Sequence, residues 1–184
     1  MRELFVLDLK NYIEGGTIGR RPSVRGIIIR DGKIAMMHSL KYDYYKLPGG
    51  GIEQGECYED TLIREVLEES GLVVKTDSIR EYGYVRRIEK GRIEDIFVQE
   101  NFYYLCDAED EPVSQKLDDY EEEERFTLEF VTPEHAIDIN TNADHGDKVS
   151  ISTFRGMMER ENMVLSMVKE EIIGGVERVN HVNL

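Results

Sequence analysis

Apolar and polar residues alternate along several stretches of this chain, and this period of two predicts β-strands. The clearest pair covers residues 24–30 and 33–38, which flank Asp31-Gly32, a dipeptide typical of tight hairpin turns. Lys90-Gly91 divides two longer β-patterned stretches in the same way. The other predicted strands cover residues 4–9, 72–74, 79–88, 93–105 and 126–131. The chain is therefore expected to be rich in sheet.

A second pattern, in which apolar residues recur every three or four positions, predicts helices. One such stripe ends before Gly71, where a helix C-terminus favours glycine, so we expect a helix from about residue 57 to 70. Pro133 opens a short helix, because proline is tolerated in the first helical turn. Residues 150–173 predict one long or two short helices. Strands on both sides of a helix, with further helices after them, predict an α/β fold with a mixed β-sheet covered on both faces.

Two polar stretches interrupt these patterns. Residues 107–124 are rich in Asp and Glu, which is typical of a solvated loop, and residues 140–147 predict a second polar loop. With 184 residues and 40% hydrophobic content, the chain is long enough for one sizeable core and short for two. We therefore expect a single domain over residues 1–175 and a flexible C-terminal tail over residues 176–184.

Charge and cysteine content narrow the class of protein. The net charge of −15 disfavours nucleic acid and anionic membranes as partners, because the summed field repels phosphates. No apolar stretch is long enough for a transmembrane helix, and the N-terminus is too charged for a signal peptide. Cys57 and Cys106 lack the spacing of a metal site and are expected to be free thiols in a reducing compartment. These features predict a cytoplasmic protein and leave a homodimer open.

The densest candidate chemistry lies in residues 47–72. A Pro-Gly-Gly-Gly turn leaves backbone groups open to a ligand, and Glu65, Glu68 and Glu69 follow on one face of the predicted helix. Carboxylates in the last turns of a helix oppose its dipole and repel one another, so folding alone does not favour this arrangement. Several carboxylates and a nearby carbonyl oxygen suit Mg²⁺ or Mn²⁺. The alternative is an amphipathic surface helix whose glutamates are solvated.

These residues also follow a long spaced pattern. Gly50 is followed after five residues by Glu56, and after seven more by the segment Arg64-Glu65-Val66-Leu67-Glu68-Glu69-Ser70-Gly71-Leu72. This pattern resembles the signature of the Nudix hydrolases at every defining position. The resemblance implies the Nudix α/β/α sandwich and hydrolysis of a nucleoside diphosphate linked to another moiety, by metal-assisted attack of water on phosphorus.

Roles for individual residues follow from the pattern and the resemblance together. The candidate metal ligands offer oxygen donors beside the glycine turn: Gly50 through its carbonyl, Glu65, Glu68 and Glu69. By resemblance, Arg64 orients these carboxylates with Glu56 as its companion. The resemblance also implies a general base outside the signature, and Glu123 or Glu124 occupies a comparable place. The alternative is that the acidic run is only solvated and that a signature glutamate acts as the base.

Candidate substrate contacts are basic residues beside the glycine turn or on predicted strands: Arg25, Lys46, Arg86 and Arg87. Because side chains alternate along a strand, Arg86 and Arg87 face opposite sides, so at most one faces the site. In some relatives, a proline about fifteen residues beyond the signature accompanies a preference for coenzyme A, NADH or ADP-ribose. Residues 86–89 of this chain contain no proline. Its absence favours a nucleoside triphosphate or a nucleotide sugar as the small-molecule substrate.

Two other functions share the implied fold. A nucleotide-sensing module without turnover is the main alternative, and the complete set of signature carboxylates argues against it. An isomerase of isoprenoid diphosphates needs a catalytic cysteine, and neither cysteine is obviously placed for that role. None of the histidines has metal-ligand spacing with another, so packing or surface roles are expected for them.

Overall fold

The structure is a computed structural model that describes residues 1–174. Its strands are β1 (Glu3–Asp8), β2 (Ile18–Arg20), β3 (Ser23–Ile27), β4 (Ile29–Arg30), β5 (Lys33–Ser39), β6 (Tyr44–Lys46), β7 (Arg80–Glu89), β8 (Ile96–Leu105) and β9 (Phe126–Val131). Its α-helices are α1 (Tyr58–Ser70), α2 (Asp119–Glu124), α3 (Pro133–Asn142) and α4 (Ser152–Val168), which a π-helical turn (Lys169–Ile173) continues. No helix within the described range is long and apolar enough to cross a membrane. The predicted tail, 176–184, lies outside the described residues.

The strands form two sheets. The first has the order β1-β7-β8-β2, with β3 also paired to β8, and combines parallel pairs with the antiparallel β7–β8 pair. The second is antiparallel, with β5 bonded to β4, β6 and β9. Asp31 and Gly32 join β4 to β5 with φ angles of 49° and 74°, as the favoured hairpin turn requires. The mixed α/β fold predicted from the sequence is confirmed.

Helices cover both faces of these sheets. Ile27 packs into a core with residues of α3 and α4, including Ala136 and Val164. Its neighbour Ile28 packs on the opposite side, in a core with Leu62 of α1. Ile27 ends β3 and Ile28 follows it in extended chain, so their side chains enter different cores because side chains alternate between the faces of an extended stretch. The result is an α/β/α sandwich in which α1 lies on one side and α3 with α4 on the other.

The first helix begins and ends where the sequence predicts. The Sγ atom of Cys57 accepts a hydrogen bond from the backbone of Asp60 at the N-terminus of α1. Gly71 ends the helix with φ 74°, and a Cβ atom there would collide with the Val113 carbonyl. The backbone of Lys116 also donates to Glu68 at 2.7 Å. These contacts bring the acidic stretch of the chain onto the C-terminal end of α1.

The prediction of a solvated loop over residues 107–124 is wrong for its last part, which forms α2. A capping box at Asp118 and Glu121 starts this helix. Glu121 is 3% exposed and Glu124, which the sequence leaves open as a general base or a solvated side chain, is 6% exposed. Lys46 pairs with Glu121, and Lys148 pairs with Glu124. Local composition cannot reveal partners that come from distant parts of the chain.

Two further predictions need correction. The polar loop over residues 140–147 begins within α3, because Asn140 is buried and bonds both backbone groups of Tyr45, at 2.7 and 3.0 Å. The strand predicted at residues 72–74 is reduced to one isolated bridge between Val74 and Ala108. In both places tertiary contacts override the local pattern.

Candidate active site

The C-terminal half of α1 lies against the glycine turn at residues 47–51. The backbone of Gly49 donates a hydrogen bond to Glu69 Oε2 at 2.9 Å. A Cβ atom on Gly50 would collide with the carboxylate of Glu65, so this close approach requires glycine. The Gly50 carbonyl accepts from the backbone of Val24 at 2.9 Å and keeps a second lone pair. The carbonyl oxygen of the turn and the carboxylate oxygens of the helix are therefore brought close together.

Lys46 lies between two buried carboxylates. Its Nζ atom is 2.8 Å from Glu69 Oε1 and 2.9 Å from Glu121 Oε1, and all three side chains are at most 6% exposed. The hydroxyl of Tyr120 donates to the same Glu121 oxygen at 2.7 Å. Glu121, which sequence reasoning missed, thus joins the signature glutamates, and the Asp118–Glu121 capping pattern was the signal that could have found it.

Burial and charge separate the pKa values of these acids. Burial raises the pKa of Glu65, and it raises the pKa of Glu69 to about 7. Burial opposes ionisation of Glu121 too, but a hydrogen bond with Glu69 and the charge of Lys46 outweigh it and lower the pKa to about 2. For Lys46, burial is likewise outweighed by Glu69 and its neighbours, so its pKa is well above the usual value. Glu121 is therefore the more acidic of the two carboxylates that contact Lys46.

Arg64 holds the signature carboxylates in place. Its guanidinium forms two bonds with Glu56, at 2.6 and 2.8 Å, and reaches Glu65 at 2.9 Å and Glu68 at 3.2 Å. Hydrogen bonds from Arg64 and then from Thr61 lower the pKa of Glu56 to about 2. This arrangement supports the orienting role expected for Arg64 with Glu56 as its companion.

Two connected cavities open beside this cluster. The carboxylate chamber, about 240 Å³, is lined by the glycine turn and by Glu65, Glu69 and Glu121, but not by Glu68. The basic chamber, about 360 Å³, is lined by seven basic side chains: Arg21, Arg25, Lys46, Arg87, Arg92, Lys148 and Arg160. Both chambers share Arg21, Arg25 and Tyr120 in their linings, so they are parts of one cleft.

The predicted substrate contacts are distributed unequally over this cleft. Arg25 lines both chambers, whereas Arg87 lines the basic chamber and donates to Gln99 at 2.9 Å. Arg86 faces the other side of β7 and is 3.3 Å from Glu3 in an ion pair. The alternation expected for these two neighbours is therefore present. Lys46 lines the basic chamber, but its ammonium is already paired with Glu69 and Glu121.

The two residues expected to supply a general base lie elsewhere. Glu123 is exposed and pairs with Lys41 at 2.6 Å. Glu124 is buried, accepts from the Tyr44 hydroxyl at 2.8 Å and pairs with Lys148. Neither residue lines the carboxylate chamber, where Glu121 is the acid that α2 contributes.

The oxygen atoms that line the carboxylate chamber are the type of ligand that a hard divalent cation prefers. Glu65 and Glu69 offer carboxylate oxygens, and burial, which raises the pKa of both, keeps away the water that would otherwise solvate their charge. Within residues 1–174, no three His, Cys, Asp or Glu side chains are grouped closely enough to form a metal cage as they stand. The Lys46 ammonium stands between Glu69 and Glu121.

Comparison with known proteins identifies the family of this chain. A family model described as NUDIX domain matches residues 19–153. An ADP-ribose pyrophosphatase of Methanocaldococcus jannaschii is 38% identical over an alignment of 77 residues, and the match covers 39% of this chain and 43% of that protein. The match thus spans less than half of that relative's length.

Solved structures show the fold. A mutator MutT protein from Bacillus halodurans superposes with a TM-score of 0.52 at 18% identity, over 65% of this chain and 72% of that one. A NUDIX hydrolase from Nitrosomonas europaea superposes with a TM-score of 0.52 at 16% identity, over 78% of this chain and 91% of that one. At these identities the likeness concerns the α/β/α architecture alone.

Proposed function

This chain belongs to the NUDIX domain family, and on that premise we propose that it is a divalent-metal-dependent hydrolase of the pyrophosphate linkage in a nucleoside di- or triphosphate derivative. The observation that carries the proposal is the convergence of Glu65, Glu69 and Glu121 on one small chamber that continues into a basic one. Cleavage of a polyanionic anhydride needs two kinds of side chain next to each other. Acids hold a cation, and basic side chains hold the phosphates.

Glu65, Glu69 and the Gly50 carbonyl are the groups that we propose to hold Mg²⁺ or Mn²⁺. When bound, such a cation offsets the charge of the pyrophosphate and lowers the pKa of an attacking water. Arg64 keeps the Glu65 carboxylate in position at 2.9 Å, with Glu56 fixing the other side of the guanidinium. Glu68, which Arg64 also contacts, adds negative charge from outside the chamber lining.

Glu121 is the proton acceptor that we propose in place of Glu123 and Glu124. Its carboxylate lines the chamber and stays ionised at neutral pH because its pKa is lowered to about 2, so it acts as a weak base that holds the proton only transiently. As the water oxygen bonds to phosphorus, its proton passes to Glu121 and the anhydride P–O bond breaks. Tyr120 and Lys46 bond to one oxygen of Glu121 and so fix its orientation.

Arg25 is the substrate contact that the geometry favours most. It lines both chambers, and its Nε and Nη1 atoms are buried without a hydrogen-bond partner among the described residues. A phosphate oxygen is the natural partner for such a group, because charge-assisted bonds of guanidinium to phosphate are strong and directional. The remaining phosphate contacts are expected from the basic chamber.

The experiment that tests this function is a mass-spectrometric survey of products. Nucleoside triphosphates, nucleotide sugars, ADP-ribose and dinucleoside polyphosphates are incubated with the protein, with and without Mg²⁺ or Mn²⁺, and Glu65→Gln/Glu69→Gln protein serves as the blank. We expect cleavage of one substrate class that requires the metal and disappears in the blank. Cleavage that persists in EDTA or in the blank would overturn the proposal.

A second function is favoured by one specific observation. Lys46 pairs with both Glu69 and Glu121, and such a buried network suits a nucleotide-binding module without turnover. The same survey separates the two functions. If no compound is cleaved with either metal while a nucleotide still raises the melting temperature, the binding module is the better description.

A further inference from the structure

The basic chamber differs in sign from the rest of the molecule. The chain has a net charge of −15, yet the lining of this chamber contains seven basic side chains and no acidic one. Only 23 Lys and Arg residues are present in the whole chain. A concave surface lined by one sign of charge raises the local concentration of the opposite charge. The chamber is therefore built to attract an anion.

Four of the seven cations have carboxylate partners that account for their positions. Lys46 pairs with Glu69 and Glu121, Lys148 with Glu124, Arg87 with Glu89 at 3.1 Å, and Arg160 with Glu161 at 2.5 Å. These acids lie outside the lining of the chamber. Such pairs stabilise the fold without a ligand, so they do not by themselves indicate a binding site.

The other three cations lack that explanation. No carboxylate within residues 1–174 lies at salt-bridge distance from Arg21, Arg25 or Arg92. Arg25 Nε and Nη1 are buried without a hydrogen-bond partner, as are the Nε atoms of Arg87 and Arg160. Buried donors are normally satisfied, and leaving one unpaired destabilises the protein, more so when the donor is charged.

Like charges also repel one another in this chamber. Arg87 is 6% exposed and Arg160 is 1% exposed. Burial, and then the charge of Arg160, lower the pKa of Arg87 to about 10. A multivalent anion relieves both strains at once, because it supplies acceptors to the unpaired donors and offsets their mutual repulsion.

We propose that the basic chamber binds a phosphate group beyond the cleaved anhydride, so that the substrates are nucleoside triphosphates or dinucleoside polyphosphates rather than nucleotide sugars or ADP-ribose. This proposal rests on the proposed function. Arg21 and Arg25 line both chambers, so a polyphosphate with one anhydride at the carboxylates continues directly into the basic chamber. A sugar in the same place is neutral and leaves the three unpaired arginines unmatched.

A binding measurement tests the chamber without any turnover. Isothermal titration calorimetry in EDTA compares inorganic tripolyphosphate with pyrophosphate. The wild type is compared with Arg21→Gln/Arg92→Gln, whose side chains are at the surface, and with Arg80→Gln, an exposed arginine outside the chamber. We expect the wild type to prefer tripolyphosphate, and the double variant to bind it about tenfold more weakly, as loss of charge-assisted contacts predicts. Arg80→Gln should match the wild type.

A kinetic measurement then identifies the source of the extra phosphate. kcat/KM is measured for a nucleoside triphosphate, a dinucleoside polyphosphate and ADP-ribose. A single Arg92→Gln variant, whose side chain lines the basic chamber and not the carboxylate chamber, should lose about tenfold on whichever polyphosphate is preferred and less than threefold on ADP-ribose. Equal losses on all substrates, or tripolyphosphate binding that the double variant leaves unchanged, overturn the proposal. If no compound is hydrolysed, the proposed function fails, and the calorimetry alone still decides whether the chamber binds polyphosphate.

Discussion

The two chambers of the cleft are built in different ways. The carboxylate chamber takes Glu65 and Glu69 from one helix and the glycines from the turn before it, so most of its chemistry lies within residues 49–69. The basic chamber collects its cations from positions as far apart as Arg21 and Arg160. A site carried by consecutive residues can be read from a sequence, whereas one assembled by folding cannot.

The chambers also differ in how their charges are balanced. Glu69 and Glu121 have an internal counter-charge in Lys46, which lies within 2.9 Å of both. Arg21 and Arg92 have no such counter-charge among the described residues. A ligand for the carboxylate chamber must therefore displace a buried ion pair, whereas an anion entering the basic chamber meets free donors.

The largest effect is expected from Glu69→Gln, which removes the charge at the centre of the carboxylate chamber. We expect kcat to fall by about 10³-fold, because the variant weakens cation binding and water activation together. Glu59→Gln, on the exposed first turn of the same helix, is the matched control and should stay within about twofold of the wild type. If Glu69→Gln keeps more than a tenth of the activity and the same metal dependence, Glu69 is not a ligand.

The next effect concerns stability and tests the internal counter-charge. Lys46→Met leaves Glu69 and Glu121 buried without their cation, and removing one partner of a buried pair costs about 3–5 kcal/mol. We expect that loss in the free energy of unfolding measured with urea at pH 7. Lys33→Met, at an exposed position of β5, should change it by less than about 0.5 kcal/mol. A loss below about 1 kcal/mol for Lys46→Met would mean that the two acids are neutralised in another way.

The elements that were predicted correctly have local signals in the sequence. The Asp31-Gly32 hairpin, the bounds of α1 and strand β9 all follow from patterns within a few residues. The prediction of a solvated loop over the acidic stretch failed because burial of Glu121 depends on Lys46, which is 75 positions away. An excess of acid along the chain predicts solvation on average, and it cannot show which single carboxylate meets a buried lysine.

Residues of the basic chamber could likewise be predicted only in part from the sequence. Arg25 and Arg87 could be named because they lie on strands next to the signature, and alternation correctly separated Arg87 from Arg86. Arg160 lies on α4, whose apolar stripe indicates packing and gives no hint of a cleft. Only the packing of α4 against the sheets brings this residue to the chamber.

A smaller loss of activity is expected for Glu121→Gln, which changes the proposed proton acceptor and keeps the shape of the side chain. We expect kcat to fall about 10²-fold with KM nearly unchanged, since the proton transfer and not the binding is impaired. Glu122→Gln, the exposed neighbour on α2, is the control. If Glu123→Gln or Glu124→Gln costs more than Glu121→Gln, the earlier assignment from the sequence is the better one.

The smallest effect is a pH dependence at the edge of the carboxylate chamber. Bonds from Arg64 and Thr61 lower the pKa of Glu56 from 4.5 to about 2. A carboxyl whose folded-state pKa is depressed stabilises the protein fully above its unfolded pKa, and this contribution is lost as pH falls from about 5 toward 2. The melting temperature of Glu56→Gln should therefore lie furthest below that of the wild type at pH 6 and approach it at pH 3.5. Glu53→Gln, on the exposed turn before α1, should follow the wild type throughout. A difference for Glu56→Gln that is the same at both pH values would show that the loss comes from packing rather than from the ion pair with Arg64.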